Sequence, residues 1–186
     1  MLDSLISVLQ EFRSSMPLVE TTGAALGECL QNGGKVLACG NGGSASDSMH
    51  LCEELTGRYR NNRQALPAIS LNADGTALTC IANDFGFEEV FSRQVEALGT
   101  EKDVLVVFST SGCSANVIRA LETAKEHHML SIVLSGKGGG PAVELADHAI
   151  VIPSRESARI QEVHTFILHT WLEIIEEQLF GIDRSH

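Results

Sequence analysis

Five short apolar runs, separated by longer stretches with helical spacing, constrain this chain more than any other feature. The runs are "KVLACG" (35–40), "PAISL" (67–71), "DVLVVFS" (103–109), "LSIVLSG" (130–136) and "AIVIPS" (149–154). Between them, "SASDSMHLCEELTGRY" (44–59), "TALTCIAND" (76–84), "FEEVFSRQVEAL" (87–98) and "SANVIRALETAKEHH" (114–128) read as helices. Strands that are apolar throughout, rather than alternating, are covered on both faces. The pattern therefore predicts an α/β fold, a three-layer sandwich with a five-stranded parallel sheet flanked by helices. Ligands of such sheets gather beyond the carboxyl ends of the strands. That rule directs attention to Gly40–Ser44, Asn72–Thr76, Ser109–Ser114 and Ser135–Gly140.

Residues 2–14 and 18–32 read as amphipathic helices, with Leu2, Leu5, Ile6, Leu9 and Phe12 on one stripe and Gly33-Gly34 as a stop. With 186 residues and no repeat, linker or low-complexity segment, the chain reads as one domain, 1–186. Its 24 acidic residues against 13 basic ones leave no large cationic surface for a phosphate backbone, so no nucleic-acid partner is expected. No apolar run approaches the roughly 20 residues that span a bilayer, and "MLDSLISVLQEFRSSM" lacks the basic start of a signal peptide. The expectation is a soluble cytoplasmic protein with no membrane partner. Cys29, Cys39, Cys52, Cys80 and Cys113 are odd in number and lack CxxC spacing, which fits reduced thiols acting as small hydrophobes.

Two strand-to-helix loops carry binding chemistry. In "CGNGGSASD" (39–47), Gly40, Gly42 and Gly43 let the backbone approach a ligand, and the N–H groups of a helix starting near Ser44 suit an anion. The spacing is neither GxGxxG nor a Walker loop, so a dinucleotide or nucleoside triphosphate is not indicated. In "FSTSGCSANV" (108–117), Ser109, Thr110, Ser111 and Ser114 place four hydroxyls around one glycine where a strand becomes a helix. A helix cap needs one hydroxyl, not four. Hydroxyls, backbone N–H groups and the helix dipole together bind a phosphate without Lys or Arg.

Two helices carry polar groups with catalytic or metal-binding potential. His50 and Glu54 are one helical turn apart on one face, a spacing that suits a divalent metal, an acid/base pair or a surface hydrogen bond. Glu53 lies on another side of the helix and is expected to be solvated. Near the end of the chain, "RIQEVHTFILHTW" (159–171) sets Gln161, Glu162, His164 and His169 among apolar residues. Gln161 and His169 are about 80° apart around the helix but about 12 Å apart along it, so one metal between them is at the limit of side-chain reach. His164 points to another face.

Together, "CGNGGSASDSMHLCEELTGRY", "IANDFGFEEVFSRQVEALG", "STSGCSANV" and "RIQEVHTFILH" resemble, in order and from about Gly33 onward, the phosphoheptose isomerases of the sugar isomerase (SIS) family. The resemblance implies a five-stranded parallel sheet and a homotetramer in which the helices of 1–32 pack between subunits. It implies that Asn41, Gly42, Gly43, Ser44, Asn83, Asp84, Glu54 and Gln161 contact substrate, with Ser109, Thr110, Ser111 and Ser114 as the phosphate cradle. It implies one zinc ion per subunit on His50, Glu54, Gln161 and His169. The implied reaction converts sedoheptulose 7-phosphate to D-glycero-D-manno-heptose 7-phosphate, the first step of ADP- or GDP-heptose biosynthesis for lipopolysaccharide core or surface polysaccharide. Glu54 is the candidate base and His169 the candidate acid, and Glu54 is thereby a candidate for two roles, base and ligand. Val163, Phe166, Ile167 and Trp171 are expected to pack, and His164 to make a core hydrogen bond.

A relative of another class shares the fold: a non-catalytic SIS protein that binds the bacterial replication initiator. "LNADGTALTCIAND" and "SRESARIQE" look as much like that relative, and Ala158 stands where comparable enzymes carry an acidic residue. That relative lacks the carboxylate matching Glu54 and the histidine matching His169. A binding-only protein has no need of them, so the enzyme is the expected reading.

Overall fold

The computed structural model describes residues 1–181. Five strands, β1 (Val36–Gly40), β2 (Ala68–Ser70), β3 (Val104–Ser109), β4 (Leu130–Ser135) and β5 (His148–Val151), form one all-parallel sheet in the order β2-β1-β3-β4-β5. The helices are α1 (Leu2–Phe12), α2 (Met16–Gln31), α3 (Gly43–Thr56), α4 (Gly75–Phe85), α5 (Ser92–Leu98), α6 (Ala115–Glu126), α7 (Ala142–Leu145) and α8 (Ser157–Phe180).

Alternation along each strand divides the interior into two apolar layers. Val36, Ala38, Val104, Val106 and Phe108 face one layer with Leu26 of α2, Leu51 of α3 and Ile167 of α8. Leu37, Cys39, Leu105, Val107 and Val133 face the other with Val95 of α5 and Leu121 of α6. The expected three-layer sandwich is thus present. The strand order reverses between β1 and β3, and the crevice beyond their carboxyl ends is the topological switch point where such sheets bind ligands.

Three expectations are corrected in detail. Residues 87–98 are not one helix: a single 3-10 turn, Phe87–Glu89, precedes α5. The last strand begins at His148 and ends at Val151, short of Ser154. Phe166 does not pack with Val163, Ile167 and Trp171; those three are buried, whereas Phe166 is 42% exposed.

The N-terminal segment is divided in its packing. Helix α2 closes on α8 of the same chain, where Trp171 Nε1 donates to the Val19 carbonyl and the Thr22 hydroxyl, both at 3.0 Å. A side chain at Gly23 would collide with Ile174 and Trp171, so glycine permits this close approach. Helix α1 buries Val8 and Phe12 but leaves Leu2 70% and Ile6 42% exposed. Among the described residues, no helix is long and apolar enough to cross a membrane.

Candidate active site

The loop after β1 turns into α3 at Gly42, whose φ of +59° is a conformation that suits glycine. Asn72 holds the start of this loop: its Oδ1 accepts the Gly40 N–H (3.1 Å) and the Ser48 hydroxyl (3.0 Å), and its Nδ2 donates to the Gly40 carbonyl (2.9 Å). Asn41, expected at the substrate, spends its amide on Asn116 of α6, with a bond of 2.9 Å in each direction. Ser44 is buried. The side-chain amide of Gln161 lies against Gly43, where an added Cβ would collide with it.

The loop after β3 is shaped by its own hydroxyls. The Gly112 N–H donates to Ser109 Oγ (3.0 Å), and the Cys113 N–H to Ser111 Oγ (3.3 Å). Gly112 has φ +63° and no room for a Cβ beside the Gly139 carbonyl. Ser114 sits at the start of α6 but makes no side-chain cap bond, so its hydroxyl is not consumed by the helix. Thr110, Ser111 and Ser114 are half-buried. Ser114, Asn41, Gly42, Asn116, Phe87 and Glu88 line one cleft. Asn83 and Asp84 are exposed near the end of α4, bonded to each other (2.7 Å), and lead through Gly86 to the turn that contributes Phe87 and Glu88.

The candidate acid/base groups meet where α3 faces α8. His50 Nε2 lies 3.6 Å from Glu54 Oε1. The His169 ring meets the His50 ring edge-on, with centroids 5.0 Å apart and an interplanar angle of 83°. Its other neighbour is Tyr59, stacked at 5.5 Å and 24°. Burial, Glu53 and Glu176 push the Glu54 carboxyl above its ordinary range, more than His50 pulls it down. Burial and the neighbouring His50 hold the His169 imidazole below its ordinary value, with Glu173 opposing.

His50, Glu53 and Glu54 bring one donor atom each within 4.8 Å of one another. An imidazole nitrogen and two carboxylates are a donor set that suits a divalent cation such as zinc. Glu53 is exposed, as expected, yet it belongs to this group, while Gln161 is held at the Gly42-Gly43 turn. Sequence reasoning missed Asn116, Tyr59, Arg63 and Glu176. Asn116 alone carried a signal, its place two residues beyond Ser114.

His164 departs from expectation. Its ring is fully buried, edge-on to Phe108 at 5.9 Å, and the Ser135 backbone comes close enough to favour the charged imidazole without a hydrogen bond of good geometry to either nitrogen. Asp47 Oδ2, itself without a partner, stands 3.9 Å from His164 Nδ1, and Asp47 Oδ1 accepts the Thr165 hydroxyl (3.3 Å). Burial pushes the Asp47 carboxyl up to about 6 and the His164 imidazole down to about 4.

The family model described as SIS domain matches residues 2–136. A parallel sheet with hydroxyl- and glycine-rich loops at its switch point is what that match leads one to expect, and the chain belongs to the SIS domain family. It is 57% identical over 159 residues to phosphoheptose isomerase 1 of Campylobacter jejuni, covering 86% of each chain. The solved phosphoheptose isomerase of Francisella tularensis superposes with a TM-score of 0.92 at 37% identity, over 95% of this chain and 94% of that one. That of Neisseria gonorrhoeae gives 0.89 at 41% identity, over 95% of both. Within the SIS domain family, the chain belongs with the phosphoheptose isomerases.

Proposed function

We propose that this chain interconverts sedoheptulose 7-phosphate and D-glycero-D-manno-heptose 7-phosphate, the aldose–ketose isomerisation that opens nucleotide-heptose biosynthesis. The observation that carries the reading is the convergence of Glu54 and His169, from two helices far apart in sequence, on His50. The close likeness to phosphoheptose isomerases supports it.

The 1,2-isomerisation moves one proton between carbons and one between oxygens. Glu54 takes the C1 proton of the ketose and returns it at C2 through a cis-enediol, and its raised carboxyl pKa brings it toward the range of an effective base. His169, with a depressed pKa, is a neutral imidazole that gives a proton to one oxygen and accepts one from the other. Ser109, Thr110, Ser111 and Ser114 with the start of α6 hold the phosphate, anchoring the far end of the substrate so that C1 and C2 are presented to Glu54. Asn41, Gly42, Gly43, Ser44, Asn83, Asp84 and Gln161 surround the sugar.

His50, Glu54, Gln161 and His169 would hold one zinc ion per subunit; of these, His50 and Glu54 stand with Glu53 in a donor group that fits such an ion, His169 stands beside His50, and Gln161 lies against Gly43. Bound there, zinc would polarise the substrate carbonyl and template its hydroxyls. The subunits assemble as a homotetramer through the N-terminal helices; the exposed Leu2, and Ile6 lining one groove with Phe166, supply an apolar face for that contact. Five unpaired cysteines fit a reducing cytoplasm.

Turnover of sedoheptulose 7-phosphate by the purified protein with added zinc, beside Glu54→Gln, tests the proposal. The wild type is expected to turn over, and the variant to lose on the order of 10²–10⁴ in kcat. A wild type without turnover would move the chain to the binding-only reading.

A further inference from the structure

Arg63 and Glu176 are given no proton to move in the reaction, yet they join the two helices that carry the groups that do. Both side chains are sealed from solvent, at 1% and 2% exposure. Arg63 Nε donates to Glu176 Oε1 (2.8 Å). Its Nη2 donates to the Glu54 carbonyl (2.7 Å), and its Nη1 to the carbonyls of Leu55 (2.9 Å) and Gln64 (3.1 Å). Glu176 Oε1 also accepts the Tyr59 N–H (3.3 Å), and the Tyr59 ring is the one stacked on His169.

One guanidinium therefore closes the last-turn carbonyls of α3, at the residue proposed as base, and ties them to α8 two turns beyond the residue proposed as acid. A rigid planar fork suits this task, and a cation is favourable at a helix carboxyl end. Stability alone is a poor reason for the pair, because desolvating two charges is costly and packed apolar residues commonly serve as well. Fixed register is what the arrangement supplies in addition.

The geometry points to Arg63 and Glu176 as positioning residues of the isomerase: they set the Glu54 turn of α3 against α8 and seat Tyr59 on the ring of His169. The inference rests on the isomerase reading, and its test separates the two.

Steady-state kinetics on sedoheptulose 7-phosphate are measured for the full chain and for Arg63→Lys, Glu176→Gln, Glu176→Ala and Tyr59→Leu, well below each melting temperature. The His169 ring carbon and proton shifts are recorded at one fixed pH. Arg63→Lys keeps the charge but cannot span both helices, and Glu176→Ala loses the acceptor. Both are expected to lower kcat about ten- to a hundredfold with KM within about threefold, the scale of a small misplacement of reacting groups, and to move the His169 signals. Glu176→Gln keeps an acceptor for Tyr59 and Arg63 but removes a charge that acts on the Glu54 carboxyl, and is expected to fall between wild type and Glu176→Ala in kcat while leaving the His169 signals in place. Folded Arg63→Lys or Glu176→Ala with wild-type kcat and unmoved His169 signals overturns the inference. If Arg63→Lys fails to fold, Tyr59→Leu, which strands no buried charge, decides: a lowered kcat at unchanged KM supports the seating of His169, and an unchanged kcat overturns it. If the wild type turns nothing over, the isomerase reading falls, while the His169 shifts still decide the clamp.

Discussion

Asn41 and Asn116 exchange two hydrogen bonds, each 2.9 Å long, across the switch point between β1 and β3. The pair ties the glycine turn before α3 to the first turn of α6, and both asparagines line the cleft. Replacing Asn116 with Ala leaves the Asn41 amide without its partner, at a cost of about 1–3 kcal/mol. The expected outcome is a lowered urea midpoint and a KM for the sugar phosphate raised about tenfold, with kcat less affected; that factor corresponds to roughly 1.4 kcal/mol of binding. Urea titration and steady-state kinetics on one preparation check it, and an unchanged KM would mean that the two loops are set independently.

Gly43 keeps space for Gln161. Its φ is not positive, so alanine fits the backbone, but the new Cβ would collide with the Gln161 side-chain amide. A long side chain yields by changing rotamer, so Gly43→Ala is expected to shift stability by less than about 1 kcal/mol. Activity should suffer more, with kcat/KM down about tenfold or more, because the amide proposed to face the substrate is displaced. Thermal melting beside kinetics tests this, and a large drop in melting temperature with intact specific activity would reverse the assignment.

The sheet was legible because its signal is local. Each apolar run needed only its own residues to declare a covered strand, and the loops named from the strand ends include Asn41, Gly42, Ser109 and Ser114 at the switch point. Residues 87–98 misled because Val90, Phe91 and Val95 are all buried and keep helical spacing through the break between the 3-10 turn and α5. Phe166 misled because it lies on the edge of the α8 stripe, and only the placement of α1 determines whether that edge is covered. The pairings Asn41–Asn116 and Arg63–Glu176 had no local signal, since each joins residues that meet only once the sheet is assembled.

Asp103 is the best-served buried carboxylate outside the site. It accepts from the Lys35 N–H (2.8 Å), Lys35 Nζ (2.6 Å), the Thr100 N–H (2.8 Å) and the Thr100 hydroxyl (2.8 Å). Burial pushes its carboxyl up, but the Lys35 and Thr100 donors outweigh burial and hold it below its ordinary 3.8. A depressed carboxyl pKa contributes stability that is present above the unfolded value and lost as pH falls through the folded one. Asp103→Asn is therefore expected to cost about 1–3 kcal/mol at pH 7. The gap to wild type should close as acid protonates Asp103, and urea melts between neutral pH and about pH 3 read it. A gap that persists in acid would assign the loss to packing instead.

Asp47 has the opposite sign. Its carboxyl is raised by burial to about 6 from an ordinary 3.8, against help from Thr165 and His50. The unfolded chain releases this proton first, so the cost of ionising Asp47 is absent below about 3.8, grows as pH rises, and is complete above about 6. Asp47→Asn removes the charge and keeps a carbonyl for the Thr165 hydroxyl. It can also turn an N–H toward His164 Nδ1, which now faces a carboxylate oxygen at 3.9 Å with no hydrogen bond. The variant is expected to be more stable than wild type at pH 8 by about 1 kcal/mol. That advantage should shrink as the pH approaches 4, where the wild-type carboxyl is protonated in the fold. Melting temperatures of both proteins across pH 4 to 8 measure it. A variant less stable than wild type at pH 8 would show that Asp47 is stabilised by His164 as an imidazolium, and that the two form a buried ion pair rather than a carboxylate beside a neutral imidazole.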